Sequence, residues 1–158
     1  MNKKIIFGIT IIFLLIIAIV KVSIDSRNKN SLNESASTNI AQADKVQVFL
    51  FHATRRCSTC IAIGRLAGET VNERFQNELK SGQIEFREVN IDLPENKELA
   101  QKFQASGSAL YLNAIKDGVD NIGQDTKVWS LVGNTEKFKD YLEGRIINLL
   151  GKKVYEFN

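Results

Sequence analysis

Cys57 and Cys60 are the only cysteines in the 158-residue chain, three positions apart in the run Cys57-Ser58-Thr59-Cys60. Two thiols at that spacing in a helix's first turn bring their Cβ atoms near the ~3.8 Å that a disulfide needs. The pair can therefore open and close with little rearrangement. Cys57, at or just before the helix start, would face free N–H groups and the positive end of the helix dipole, which favour a thiolate. Arg55 and Arg56 add two positive charges immediately upstream. Cys57 is then the candidate nucleophile and Cys60, one turn inside, the candidate resolving thiol. Stabilising a thiolate also stabilises the reduced form, so the same features push the couple toward oxidising potentials. Two other readings stay open: a pair of buried, inert small residues, or soft thiolates holding Cu(I), or zinc or an iron–sulfur cluster across a dimer. His52, the single histidine, is either a proton shuttle near the thiols or a strand-end residue satisfied by backbone.

The elements around the pair follow from pattern. Val46 to Phe51 is a β-branched and aromatic run, a buried strand. From Cys57 to Lys80 the spacing is helical, with Ile63, Ala67, Val71, Phe75 and Leu79 recurring every fourth residue. Cys60, Gly64 and Gly68 line a second stripe whose small residues permit close packing on a sheet, and Ser81-Gly82 is the stop. Ile84 to Ile91 is a second strand. Asp92-Leu93-Pro94-Glu95 opens a helix with Asp92 as N-cap, and Leu99, Ala100 and Phe103 form its inner face. Ala109 to Ile115 and Val119 to Ile122 are strands joined by Lys116-Asp117-Gly118. Thr126 to Val132 reads equally as helical turn or edge strand. Asn134-Thr135 starts a last helix carrying Phe138, Tyr141, Leu142, Ile146 and Leu149, ended by Gly151. The order is β-α-β, α, β-hairpin, α. It predicts an α/β fold with a mixed four-stranded sheet, its first strand pair parallel.

Ahead of this domain, Lys3 and Lys4 precede an apolar run from Ile5 to Val20. As a helix it spans roughly 24 Å, and extension to Ile24 with Lys21 snorkelling brings it to the length of a ~30 Å hydrocarbon core. Residues 1–24 are expected to be an uncleaved membrane anchor. A cleaved signal peptide is the rival, but Val22, Ile24 and Asp25 follow the run directly, and the A-x-A-like Ala41-Gln42-Ala43 lies too far downstream for a cleavage site. Positive charge is balanced on its two sides, so the short leading tail alone places the domain on the extracytoplasmic side. Residues 25–43 are polar, rich in Ser and Asn, and free of aromatics, as in a flexible linker. The domain is expected over 44–152, with a tail over 153–158. Of 21 Lys/Arg and 18 Asp/Glu, five and two fall in 1–43, leaving 16 of each in 44–158. A formally neutral domain argues against a nucleic-acid partner.

Phe51-His52-Ala53, the cysteine pair, Asn90-Ile91-Asp92, Phe103 and Gly107 together resemble the thioredoxin family in order and spacing, over roughly 45–150. The stretch from Phe51 to Cys60 is also similar to the small thioredoxin-like proteins of the ArsF family, known as nitrophenyl compound nitroreductase subunits. No flavin-binding signature accompanies it, and nitroreduction is not implied. The resemblance implies a thioredoxin-like fold and cell redox homeostasis, with the Cys57–Cys60 disulfide as redox group and no other cofactor. The departures carry information. The family's Trp before the first cysteine is Arg56 here, and its Gly-Pro is Ser58-Thr59. Its cis-proline position falls at Ala109, after Gly107-Ser108, the loop expected to face the active site. Pro94 is the only proline, so the usual docking of a substrate peptide is not implied and room is left at the thiols for a metal. The family's buried acid falls at Leu50. Glu88, on the second strand, is the nearest replacement as proton acceptor, or else a solvated strand charge.

The expected protein is a single-pass, membrane-anchored thiol–disulfide oxidoreductase. Cys57 and Cys60 are its catalytic pair, with Arg55, Arg56 and His52 modulating the thiol. Its partner is a protein disulfide or dithiol, or a membrane protein. A thiolate metal binder and a non-catalytic accessory subunit are the alternatives.

Overall fold

The computed structural model describes residues 42–152. The anchor over 1–24, most of the linker and the tail over 153–158 lie outside the described residues, and among the described residues no helix is long and apolar enough to cross a membrane.

Eight residues, Lys45–His52, form β1. Its side chains alternate between two apolar sets. Val46, Val48 and Leu50 enter one buried cluster, and Phe49 and Phe51 enter another. A strand apolar on both faces must lie inside a sheet covered on both sides. β1 does so, within the sheet order β2-β1-β3-β4. It pairs in parallel with β2, Ile84–Asn90, and antiparallel with β3, Ala109–Lys116. β3 turns back into β4, Val119–Asp125, as the outer antiparallel strand. Asp117 at φ 50° and Gly118 at φ 75° make the two-residue turn, as Asp-Gly chemistry requires. β4 runs to Asp125, past the expected Ile122, because Leu110 at the start of β3 pairs with Asp125.

Between β1 and β2 the chain crosses over through α1, Ser58–Arg74, and α2, Gln76–Ser81. The sequence predicts one helix here. It breaks at Phe75, whose φ and ψ are −133° and 36°, and neither proline nor glycine marks the place. The predicted stripe keeps its role across the break: Ile63, Ala67, Val71 and Phe75 are buried and Leu79 packs beside them. α5, Thr135–Leu149, lies on the same cluster through Phe138, Leu142 and Ile146, and the following Leu150 is fully buried. Thr126 to Val132 resolves as helical, with α4 over Val128–Leu131 and Trp129 half-buried against the core. Ala43, which sequence places in the linker, is also buried in this cluster, its N–H donating to the Leu149 carbonyl at 3.0 Å.

The second face is covered by a 3₁₀ turn, Pro94–Asn96, and by α3, Lys97–Lys102. Phe49, Phe51, Phe103 and Tyr111 stack there, with ring centroids 5.2–6.4 Å apart, a separation at which aromatic pairs attract. The cluster clamps the carboxyl-terminal half of β1, the half that leads into the cysteine loop. Asp92 is not the expected N-cap. Leu93 precedes the 3₁₀ turn, and the Asp92 carboxylate is spent elsewhere.

Candidate redox site at the first strand–helix junction

Cys57 caps α1. Its backbone is extended, with φ −74° and ψ 158°, and its sulfur accepts the Cys60 N–H at 3.1 Å. The Cys57 carbonyl accepts the first helical bond, from Ile61 N–H at 3.1 Å. A sulfur thus occupies the place where a Ser or Asp oxygen usually satisfies an orphan amide. The first turn holds no acidic residue, so the positive helix end is uncompensated where a Cys57 thiolate would sit. Cys57 and Cys60 are joined as a disulfide, their Cα atoms 5.1 Å apart. Cys57 is exposed, whereas Cys60 is only 7% exposed. Cys57 therefore stands at the surface, where a partner can reach it, while Cys60 is shielded behind it.

The two arginines have separate fates. Arg55 is exposed and enters no ion pair among the described residues. Arg56 folds back under the first turn. It donates through Nη1 to Glu88 Oε2 at 2.6 Å and through Nη2 to the Cys60 carbonyl at 3.2 Å, leaving Nε buried without a partner. Glu88 stands on β2 directly opposite Leu50 of β1. A carboxylate therefore reaches the space beneath the helix from the neighbouring strand, at the level of the position where a first-strand acid is missing. Because Glu88 neutralises Arg56, the uncompensated positive charge near Cys57 comes from Arg55 and the helix end. Gly64 makes the room: a Cβ there would lie 2.7 Å from Arg56 Nη2 and 2.9 Å from Glu88 Oε1.

His52 closes β1 half-buried, and its Nδ1–H donates to the Ala53 carbonyl at 2.9 Å. That is the backbone-satisfied arrangement, and it leaves Nε2 as the nitrogen able to accept a proton. The register places Ala109 opposite Phe51, so Gly107 and Ser108 arrive at the same end of the sheet as the cysteine loop. Ala109 is buried at 5% exposure, and among the described residues no peptide bond is cis.

Two residues not foreseen as part of the site, Asn90 and Asp92, tie the loop down at Thr54 from the β2 side. Asp92 Oδ2 accepts the Thr54 N–H at 2.8 Å. Asn90 Nδ2 donates to Thr54 Oγ1 at 3.0 Å, and its Oδ1 accepts the Asp92 N–H at 3.0 Å. The Thr54 N–H, then the Thr54 side chain, hold the Asp92 carboxyl below its ordinary value, with a smaller contribution from His52. Asn90 and Asp92 lie in a run already marked by its family resemblance, but nothing in the sequence pairs them with Thr54, 36 and 38 residues away. Among the described residues no group of three or more His, Cys, Asp or Glu stands together as a metal site.

No family model matches the chain, and no curated protein matches it. Among solved structures it is similar to Fasciola hepatica thioredoxin, at 20% identity, covering 65% of this chain and 82% of that one, with a TM-score of 0.39. It is similar to a thioredoxin from Thermus thermophilus at 15% identity, covering 72% and 85%, TM-score 0.42. The zinc-bound form of human ERp44 matches at 20% identity, covering 70% of this chain and 30% of that one, TM-score 0.43. The chain's own sheet order β2-β1-β3-β4, its parallel first strand pair and the disulfide at the first strand–helix junction agree with the mixed α/β arrangement expected from the sequence.

Proposed function

We propose that the protein is a membrane-tethered thiol–disulfide oxidoreductase acting on a protein disulfide or dithiol. The observation that carries this is the asymmetry of one disulfide: an exposed Cys57 whose sulfur caps a helix, bonded to a Cys60 that is 7% exposed. In the reducing direction the Cys57 thiolate attacks one sulfur of a partner disulfide. The partner's other sulfur leaves as a thiolate and takes a proton, and a mixed disulfide with Cys57 remains. Cys60 then loses its proton and attacks Cys57 Sγ, breaking the mixed disulfide, so that the partner's remaining sulfur leaves as a thiolate and takes a proton while the Cys57–Cys60 disulfide is restored. Two electrons and two protons have passed to the partner. The reverse sequence oxidises a partner dithiol through the same intermediate. Glu88 is the proton acceptor for Cys60 in this scheme. From β2 its Oε1 reaches Gly64, one helical turn from Cys60, and Arg56 holds its Oε2 at 2.6 Å.

The apolar segment at 5–24 supports tethering, with the domain outside the cytoplasm. The finer kinship with ArsF-family proteins rests on the segment from Phe51 to Cys60. The test uses the reduced full-length protein with insulin and with an aromatic disulfide. Wild type turns over, Cys57→Ser is inert, and Cys60→Ser accumulates the mixed disulfide. A reduced wild type that leaves both substrates untouched would sink the proposal. A reporter fused after Asn158, active only outside the cytoplasm, checks the topology.

A further inference from the structure

Five residues separate the end of β1 from the helix that Cys57 caps, and the chain has to deliver the Cys57 sulfur onto the Cys60 N–H after that crossing. The loop is held at two points, both from the β2 side. One is the Arg56 guanidinium, tied to Glu88. The other is the Thr54 N–H, taken by Asp92 Oδ2 at 2.8 Å. The second tie is built from several parts. The Asp92 carboxylate is preset because its own N–H is bonded to Asn90 Oδ1, and the same Asn90 amide holds the Thr54 hydroxyl. β2 itself is locked to β1 at this level, where Ile91 N–H donates to the His52 carbonyl at 2.8 Å. Asp92 is exposed and lies in a connection outside the regular elements. Its carboxylate is not needed for the helix that follows, which it does not cap. A side chain placed so carefully, and not used by its own element, serves the element it reaches.

On the basis of the disulfide-exchange function above, we infer that Asp92 is a positioning residue of the redox loop: by accepting the Thr54 N–H it holds Cys57 in the helix-capping conformation that favours its thiolate. The role belongs to the acceptor oxygen and its reach more than to the negative charge. Asparagine keeps an oxygen at the same distance without charge. Glutamate keeps the charge but carries the oxygens one methylene further. Alanine removes both. His52, Arg55, Arg56 and Glu88, the other titratable groups on β1, the loop and β2 at this site, are common to all variants.

The test compares reduced full-length wild type with Asp92→Ala, Asp92→Asn and Asp92→Glu. The readouts are the rate of attack on an aromatic disulfide and the ultraviolet titration of the Cys57 thiolate. Losing the one hydrogen bond that holds the Thr54 N–H predicts a rate about five- to tenfold lower in Asp92→Ala, with the thiolate titrating at higher pH. Asp92→Asn should stay within about twofold of wild type, and Asp92→Glu should fall with Asp92→Ala. Wild-type rates in Asp92→Ala, or a slow Asp92→Asn beside a fast Asp92→Glu, would overturn the assignment. Asp92 is exposed, so Asn and Glu both leave the fold intact, and that pair decides the matter even where the alanine variant is unstable. An inert wild type would sink the disulfide-exchange function itself and this role with it.

Discussion

A methyl group at position 64 would meet Arg56 Nη2 and Leu50 Cδ2 at 2.7 Å and Glu88 Oε1 at 2.9 Å. Leu50 is fully buried in the sheet at 1% exposure and cannot yield without disturbing its neighbours. Gly64→Ala gains about 1 kcal/mol of helix propensity, but overpacking of this kind costs about 1–3 kcal/mol. The net expectation is a loss of stability in urea denaturation, with the Arg56–Glu88 pair displaced. Gly68→Ala is the internal comparison. Its nearest contact is the edge of Phe86 at 3.1 Å, a ring only partly buried, so the propensity gain should roughly cancel the crowding. A Gly64→Ala protein as stable as wild type would mean that the space beneath the redox helix is looser than these distances indicate. At this scale the cysteine pair, its helix-start location and the stripe of small residues were legible in the sequence. That Arg56 turns away from Cys57 to meet Glu88 was not, because the pairing depends on β1 and β2 lying parallel in one particular register.

Elements were legible where their pattern matched their burial. β1 and β3 read as strands because both faces are apolar, and α5 because Phe138, Leu142 and Ile146 recur at helical spacing. The misreadings have physical causes. Asp92 and Glu95 spell a capping box, yet the Asp92 carboxylate finds the Thr54 N–H, a donor that local sequence cannot reveal. The break at Phe75 follows no helix-breaking residue. Arg74, just before it, is bound by Asp140 at 2.9 Å and by Glu143, both on α5, so the end of α1 is fixed by a partner distant in sequence. The cap of α5 is simpler to test. Asn134 Oδ1 accepts the Lys137 N–H at 3.0 Å from an exposed, extended position. Asn134→Ala should cost about 1 kcal/mol, read as a lower urea midpoint with an unchanged slope. No change would show that α5 is held by its packing on α1 and the sheet alone.

For the whole domain, net charge is formally zero, and its stability against pH depends on how individual groups are held. Glu69, Glu78, Glu85, Asp92 and Asp120 all have pKa values lowered in the fold. Hydrogen bonds from Arg65, Lys152 and Lys102 are the largest causes for Glu69, Glu78 and Asp120. For Glu85, burial by itself would raise the value, and Lys45 and Gln47 outweigh it. An unfolded chain takes up protons at the ordinary values of 4.5 for Glu and 3.8 for Asp, before the fold does. These groups therefore stabilise the fold above that range, and the contribution fades as pH falls through their lowered values. Denaturation midpoints should be flat from neutrality to about pH 5 and drop below it. These carboxylates are exposed or partly exposed and their pairs are screened by solvent, so the drop should be gradual and salt-sensitive.

The alkaline limb isolates one group that ties β4 to α5. Tyr141 Oη lies 3.0 and 2.9 Å from the two oxygens of Asp125, a carboxylate 5% exposed that also accepts the Lys127 N–H at 3.1 Å and faces Arg145 Nε at 3.4 Å. Burial first, and then the Asp125 carboxylate, push the Tyr141 hydroxyl from 10.0 up to about 12. The folded protein keeps this proton while the unfolded chain loses it, so the stabilisation is complete below pH 10 and is lost as pH rises toward 12. Tyr141→Phe separates this from the titration of the lysines, which both proteins share. At neutral pH the variant should lose about 1–3 kcal/mol, because Asp125 is left buried with fewer donors. As pH rises past 10, wild type should converge on it, the gap closing by about 1–2 kcal/mol once solvent screening is allowed for. A gap that stays constant across that range would mean that the Tyr141 proton is not held by Asp125, and that β4 and α5 are joined by apolar contact alone.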